Sequence, residues 1–226
     1  MTKQISKARK AQLIEQYRDI NVDRDWWDST YDDFVRICEI LGIEIDTRAH
    51  RTMGGTTVHR PLIHFSGFWS QGDGASWSGR YRAYTWEAGW LHKVRTYDAA
   101  PAKIREYAPK DEELHRIADE LCFLARLYYP AYAHVSSNSQ YCHSGTMSLA
   151  VFEPIEGDDA DYAEEVHEHV EATLTDLFRD LADWLYAQLE KEYDHLTSDE
   201  AVWDTIQAND LDELEDEDED EEEEAA

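Results

Sequence analysis

The sequence lacks a long apolar run, a cysteine framework and, in its second half, basic residues. No run of about 18 apolar residues is present to span a bilayer. The N-terminal segment MTKQISKARKAQLIEQY also has no apolar stretch of the kind that a signal peptide needs. Three widely spaced cysteines, Cys38, Cys122 and Cys142, argue against a disulfide framework because their number is odd. We therefore expect a cytoplasmic protein with reduced thiols.

The scarcity of basic residues is confined to the C-terminal part of the chain. Residues 1–126 contain 19 Lys and Arg against 19 Asp and Glu, whereas residues 127–226 contain 2 and 31. The whole net charge of −29 therefore arises in the last hundred residues. Such asymmetry is typical of an interaction surface or a charged tail. Direct nucleic-acid binding is not expected, because a basic stripe is absent and the acidic half would repel phosphates.

Helical periodicity and capping residues recur along the chain, separated by short turn-rich segments. Ser29, placed before TYDDFVRICEIL, and Gly42 after it predict a capped helix. The segment 47–57 has the composition of a loop, and Gly89 and Pro101 interrupt a less regular helical region. Helices are predicted over about 5–20, 30–41, 85–107 with interruptions, 109–129, 158–195 and 198–208.

The stretch IHFSGFWSQGDGASWSGRY, residues 63–81, predicts a β-hairpin with an aromatic face. A three-residue loop, Gly72-Asp73-Gly74, would place both aromatic runs on one face, because side chains alternate along a strand. The predicted pairs are Trp69 with Trp77, Gly67 with Gly79 and Phe65 with Tyr81. We expect this aromatic set to be buried, so that removing either tryptophan would destabilise the fold.

A second hairpin is predicted over residues 131–154, turning near Ser144-Gly145. Together with the helices it predicts an α+β fold, with an antiparallel sheet of about four strands made from the two hairpins and packed with helices. A long acidic helix follows near the C-terminus. We expect one domain over residues 1–208 and a disordered acidic tail over 209–226, because the tail has too few apolar residues to offset the entropy of ordering.

The long helix carries the candidate binding site. No Lys or Arg lies between Glu156 and Asp176, so the acids there lack the basic partners that usually stabilise a helix surface. Two interpretations follow: a solvated acidic face, or a surface that binds a basic partner as a phosphate backbone does. The candidate partner-binding residues are Asp158, Asp159, Asp161, Glu164, Glu165, Glu168, Glu171 and Asp176.

Other chemistry is poorly supported by the sequence. The available histidines and cysteines form no paired metal-ligand motif, so we expect no metal and no cofactor. Gln71 and Asp73 are loop candidates, although an Asp between two glycines is more often turn chemistry. An enzyme built around Gly72-Asp73-Gly74 and His64 stays open as an alternative. A pocket that collected His64, Asp73 and Arg80 would favour it.

The string FSGFWSQGDGASWSGRY, with the preceding WWDSTYDDFVRICEILGIEI, resembles a family of small phage and mobile-element proteins labelled "antitoxin of toxin–antitoxin stability system". The resemblance covers roughly residues 20–85 and rests chiefly on FWSQGDGA. It implies a non-enzymatic protein that binds and restrains a partner. It brings no catalytic residues with it.

These observations predict a non-enzymatic acidic binding protein. Its expected partner is a basic, nucleic-acid-binding host protein that it inhibits as a DNA mimic, in the manner of an anti-restriction or anti-CRISPR protein. Neither a membrane nor direct nucleic-acid binding is expected. The alternatives are an antitoxin that neutralises a cognate toxin, and the enzyme built on the glycine loop.

The tail gives the first testable prediction. Residues 210–224 contain 13 acids and no base, so they have almost no apolar surface to contribute to a core. Deleting them is expected to leave the melting temperature nearly unchanged, as measured by circular dichroism. A large loss of thermal stability would show instead that the tail docks on the body.

Overall fold

A computed structural model describes residues 5–23, 25–86, 93–95, 98–128, 132–137, 141–152 and 160–212. The predicted disordered tail lies almost wholly outside these residues. The chain divides into two compact units, one made of Met1–Ser29 and Leu189–Ala226 and the other of Thr30–Gln188. The sequence predicted one domain over residues 1–208, and this remains a prediction.

The smaller unit is built from helices. It contains α1 (Lys7–Gln16), α6 (Asp199–Ala208) and the end of the long helix α5 (Ala160–Leu196). The side-chain oxygens of Ser6 and Ser198 cap α1 and α6 by accepting backbone N–H groups. Four side chains form the core of this unit: Leu13, Ile14, Val202 and Ile206.

The larger unit contains the remaining helices: α2 (Asp28–Leu41), α3 (Ala100–Tyr107), α4 (Glu112–Tyr128) and most of α5. The predictions of α2, α4, α5 and α6 are confirmed to within a few residues. Asp111 links two of these helices. Its Oδ1 accepts the backbone N–H of Leu114 and so caps α4, while its Oδ2 accepts the indole N–H of Trp184 on α5 at 2.8 Å.

An antiparallel four-stranded sheet confirms the predicted α+β class. It contains β1 (Ile43–Ile45), β6 (Gly79–Arg82), β9 (Tyr132–Ser136) and β10 (Ser148–Val151), in the order β1-β6-β9-β10. Strands β9 and β10 are the predicted second hairpin. The predicted first hairpin supplies one of the other two strands, β6, whereas β1 comes from a segment before it and pairs with β6.

The register predicted for the first hairpin is wrong. Strands β4 (Ile63–Ser66) and β5 (Gly74–Trp77) pair with Ile63 opposite Trp77 and Phe65 opposite Ala75. The loop between them is therefore longer than three residues, and the chain leaves this pair at Ser78. Ser78 donates its N–H to Leu62 and accepts the N–H of Asp46 through its carbonyl.

After Ser78 the chain enters the four-stranded sheet. A side chain at Gly79 would place its Cβ 2.6 Å from the carbonyl oxygen of Glu44. Gly79 therefore makes room for the neighbouring strand β1, and its predicted pairing with Gly67 is wrong. The predicted burial of Trp69 is also wrong, because this side chain is 78% exposed whereas Trp77 is 0% exposed.

Two further segments differ from the sequence-based expectation. Residues 47–57, expected to be a loop, begin a hairpin made of β2 (Thr47–Arg51) and β3 (Thr57–Pro61). The N-terminal part of the expected helical region contains a short strand pair instead, β7 (Tyr84–Trp86) with β8 (Lys93–Arg95). Local composition did not reveal these strands, because β-pairing depends on context more than helix formation does.

Aromatic side chains join the long helix to the strands in the core of the larger unit. Phe178 of α5 lies with its ring centroid 5.5 Å from those of Trp77 and Tyr81. Phe34 of α2 contacts Trp77 on one side and stacks on Trp184 on the other. These side chains are almost completely buried, so the core depends on their shapes.

The contrast between the two tryptophans can be tested by mutation. Trp77→Ala removes a buried ring and is expected to cost about 3–5 kcal/mol of unfolding free energy. Trp69→Ala removes an exposed ring with an edge contact to Phe68, and should cost at most about 1 kcal/mol. Urea denaturation followed by circular dichroism measures both. Equal costs would contradict the difference in burial.

Candidate functional site

The acidic residues of α5 are positioned by the opposite, apolar side of that helix. Val170, Leu174, Leu177, Leu181 and Leu185 are buried, at spacings of three and four residues. Because an α-helix turns by 3.6 residues, this stripe fixes which other positions face solvent. The helix is therefore held by its apolar face, and its outward face is free to carry charge.

The structure places the eight candidate acids in different situations. Asp158 and Asp159 lie outside the described residues, and Asp161 and Glu165 are described by backbone alone. Glu164, Glu168 and Asp176 are exposed to solvent. Glu171 is half-buried, and its carboxylate lies 3.7 Å from the Nε2 atom of His167.

One exposed acid on this face was not among the candidates. Asp183 lies seven residues, or two helical turns, beyond Asp176 and is also exposed. Periodicity places Asp183 outside the apolar stripe, but Arg179 separates it in sequence from the acids that end at Asp176. We define the acidic face as Glu164, Glu168, Asp176 and Asp183.

Several acids elsewhere in this unit form ion pairs with arginines. Arg116 of α4 contacts Glu113 at 2.5 Å and Glu120 at 2.9 Å on its own helix, and it reaches Asp180 of α5 at 2.5 Å. Arg105 of α3 likewise contacts Asp119 of α4 at 2.6 Å.

The two arginines also lower the pKa values of acids that they contact. Their hydrogen bonds hold the pKa of Glu113 and of Asp119 below the usual values. Asp119 therefore contributes to joining α3 to α4, Glu113 pairs with Arg116 within α4, and the charge of both acids is compensated.

The acidic face is not compensated in this way. Among the described residues, no basic side chain lies within ion-pair distance of Glu164, Glu168 or Asp183. Asp176 has one base nearby, with its Oδ1 4.0 Å from Nη1 of Arg179. Arg179 is itself held toward the sheet, because its Nη2 donates to the carbonyl of Met147 at 3.2 Å.

The acidic face also contains a shallow depression of about 430 Å³. Its lining residues are Glu168, Glu171, Ala172, Thr175, Asp176 and Arg179. A small side chain at Ala172 leaves the space between neighbouring turns open. The shape suits contact with a protruding side chain of a partner more than enclosure of a small substrate.

The glycine loop has a structural explanation. Asp73 Oδ2 accepts the backbone N–H groups of Trp69 at 3.0 Å and Ser70 at 2.7 Å, which closes the loop between β4 and β5. Gln71 is exposed at the tip. Asp73 thus stabilises the turn, which is the usual role of an Asp between two glycines.

The residues that would support an enzyme are not gathered into one pocket by the contacts of the described residues. Arg80 contacts Glu44 and Asp46 on β1 and the turn after it. His64 lies on β4, and its pKa is lowered by burial and by the nearby charge of Arg48. Asp73 closes its own loop. The structure therefore adds no support to the enzyme alternative.

The cysteines lack the environment of a reactive nucleophile. Burial raises the pKa of Cys38, Cys122 and Cys142 above that of a free thiol, so each disfavours the thiolate that nucleophilic attack needs. In the part of the chain that the structure describes, no group of three or more His, Cys, Asp or Glu side chains could hold a metal ion.

Paired and unpaired acids on α5 should respond differently to neutralisation. Asp180→Asn breaks the contact with Arg116 and is expected to cost about 1 kcal/mol of stability. Glu168→Gln removes no ion pair and relieves repulsion along the helix, so its effect should stay within about 0.5 kcal/mol. Urea denaturation at low salt measures the difference. A larger cost for Glu168→Gln would mean that Glu168 has a structural role.

Comparisons with known proteins identify a family but no function. Among the described residues, no helix combines the length and the apolar character that crossing a membrane requires. No curated protein matches the sequence, and no solved structure matches the fold. A family model described as "Domain of unknown function (DUF8835)" matches residues 26–199, which is more than half of the chain. The chain therefore belongs to the DUF8835 family.

Proposed function

We propose that this protein is a non-enzymatic inhibitor that binds a basic, nucleic-acid-binding protein through the acidic face of α5. The observation that carries the proposal is the uncompensated charge of that face. Arg105 and Arg116 neutralise acids on α4, and Arg116 also neutralises Asp180 on α5. Glu164, Glu168 and Asp183 face solvent without such partners among the described residues.

Uncompensated charge on a helix has an energetic cost. Like charges three or four residues apart repel by a few tenths of a kcal/mol per pair, whereas a base in the same place would attract. Glu164, Glu168 and Glu171 are spaced in this way. A partner that supplies the missing positive charge would convert this repulsion into attraction on binding.

The geometry of the face supports a partner that normally binds nucleic acid. Glu164 and Glu168 are one turn apart, or about 6 Å along the axis. From Glu164 to Asp183 the helix extends about 28 Å, which corresponds to about eight base pairs of duplex at 3.4 Å each. A rigid helix therefore presents carboxylates over a length comparable to that of a protein-binding DNA site.

The charge of the whole chain favours fast encounter with such a partner. A net charge of −29 attracts a basic protein over a distance set by the ionic strength. Complementary fields act mainly on the association rate and on partner choice. Steering of a basic partner would be a reason for placing the excess acid in the last hundred residues.

The antitoxin interpretation is the second binding function, supported by the resemblance around FWSQGDGA. An antitoxin would cover a toxin surface, and its affinity need not depend on charge. The exposed Trp69, beside Phe68 in the loop, would be the natural contact in that case. The two functions thus predict different binding surfaces on the same unit.

The experiment starts by capturing a partner from lysate of the natural host on the immobilised full chain and purifying it. Association is then measured for the parent and for a variant with three neutralised acids: Glu164→Gln, Glu168→Gln and Asp176→Asn. The variant should associate at least about tenfold more slowly at low salt, because steering depends on the local field. Duplex DNA should compete with the parent for the same partner.

A matched control separates local charge from net charge. It neutralises three exposed acids on other helices: Asp32→Asn, Glu106→Gln and Glu112→Gln. This variant has the same net charge as the first, and its association should stay within about threefold of the parent. An affinity indifferent to salt, to the acidic-face variant and to DNA would refute mimicry and favour the antitoxin function. Melting temperatures of both variants check that the fold is retained.

A further inference from the structure

The hairpin formed by β2 and β3 is a basic surface on this acidic chain. We define the basic arm as residues 47–61, which read TRAHRTMGGTTVHRP. It contains Arg48, Arg51 and Arg60, with His50 and His59, and it has no acid. Every strand position of the arm is exposed except Pro61, which is partly exposed.

The arm has no face suited to packing on a protein core. Within the part of the chain that the structure describes, its strands pair only with each other, and the apolar strand residues are Ala49, Val58 and the terminal Pro61. Met53 at the tip is fully exposed. A two-stranded hairpin in water is marginally stable unless something covers a face of it. The arm therefore keeps both faces available to solvent at some cost in stability.

The register places positive charge on both faces. Arg48 lies directly opposite Arg60, and since paired residues share a face, both project from the same side. Arg51 and His59 belong to the other side, because side chains alternate along each strand. Like charges directly across a ribbon are destabilising. Arg48 and Arg60 nevertheless present two guanidinium groups on one side of the ribbon, where an anion could contact both.

The dimensions of the arm match a groove of duplex DNA. Five residues per strand give a length of about 17 Å, and the two strands lie about 4.8 Å apart. The major groove of B-form DNA is about 12 Å wide and admits a two-stranded β-ribbon, whereas the major groove of duplex RNA is too narrow. A ribbon inside a groove is flanked by phosphates on both sides, which agrees with charge on both faces.

We propose that the basic arm binds double-stranded DNA, with Arg48, Arg51 and Arg60 contacting backbone phosphates and the tip entering the major groove. An acidic protein surface is a poorer match, because a surface on one side would neutralise only one face of the ribbon. This site is separate from the acidic face and does not depend on the function proposed for it.

The net charge of the chain does not exclude this binding. Residues 1–126 are electrically balanced, and the excess acid lies outside them. At physiological ionic strength, exposed charges more than about 8 Å apart are largely screened. The local charge of the arm therefore governs its own contacts. The expectation that the protein would not bind nucleic acid directly considered the halves of the chain and not this hairpin.

The test measures binding of the full chain to a fluorescent 24-base-pair DNA duplex by anisotropy. Three phosphate contacts give a slope of about −2.7 for log affinity against log salt, so affinity should fall about 40-fold between 50 and 200 mM salt. The variant with Arg48→Gln, Arg51→Gln and Arg60→Gln should lose at least about tenfold in affinity at 50 mM salt. Its salt dependence should be nearly flat.

Two control variants make the result specific. Lysine at the same three positions keeps the charge and should keep affinity within about fivefold of the parent, because phosphate contacts need charge more than shape. The second control removes three exposed bases outside the arm: Arg36→Gln, Lys103→Gln and Lys110→Gln. It matches the net charge of the arm variant and should bind DNA within about threefold of the parent.

Several outcomes would overturn the proposal. One is no binding of the duplex by the full chain at 50 mM salt. Another is an equal loss for the arm variant and the charge-matched control, which would make the effect one of net charge. Failure of the lysine variant to bind the duplex would show that positive charge at these three positions is not what holds the DNA. Displacement of the duplex by polyglutamate at equal charge concentration would assign the arm to an acidic protein partner instead.

Discussion

The packing of Phe178 between Trp77 and Tyr81 is the contact on which the rest of the larger unit depends. It joins α5 to the end of β5 and to the middle of β6, which belong to different sheets. Because one side of α5 is fixed in this way, its other side has a defined direction. The exposure of Glu164, Glu168 and Asp183 is thus a consequence of aromatic packing on the opposite side of the helix.

Charge in this protein has two roles that the structure separates. Paired acids such as Asp119 and Asp180 connect neighbouring helices through arginines that are themselves partly exposed. Contacts of this kind contribute modestly to stability. Among the described residues, Glu164, Glu168 and Asp183 of the acidic face make no such contact, and like charges repel one another along that face. The basic arm places its arginines on two exposed strands. The acidic face and the basic arm therefore both lie where a partner can reach them.

The helices were predictable from the sequence because their signals are local. The apolar residues of α5 recur every three or four positions, Gly42 directly follows α2 and Ser198 directly precedes α6. Ser29, predicted to cap α2, lies inside it instead, because the helix begins at Asp28. The strands were less predictable, since β6 pairs with β1 and β9, which are distant in sequence. The bend at Ser78 that redirects the chain requires hydrogen bonds to Asp46 and Leu62, which no local pattern indicates.

The candidate site was predictable in the same uneven way. Periodicity placed the acids of α5 on a solvent face, but it could not distinguish Asp180 from Asp183, because the distinction depends on Arg116 of another helix. The strands of the basic arm were not predicted, because the usual signal of a strand is an alternation of apolar and polar residues. A hairpin that is exposed on both faces lacks this alternation. The distinction between Asp180 and Asp183 and the existence of the basic arm both depend on which long-range contacts form and which do not.

The attachment of the basic arm has a further consequence. Its two ends meet at neighbouring positions, since the N–H of Leu62 bonds to the carbonyl of Asp46 at 2.7 Å just beyond the last cross-strand pair. The strands outside this closure are held by their own hydrogen bonds. Adding or removing one residue pair near Gly54 and Gly55 would change the reach of the hairpin by about 3.4 Å without altering the sheet that supports it. The reach of the hairpin can thus change independently of the scaffold, because the scaffold holds it only at its two ends.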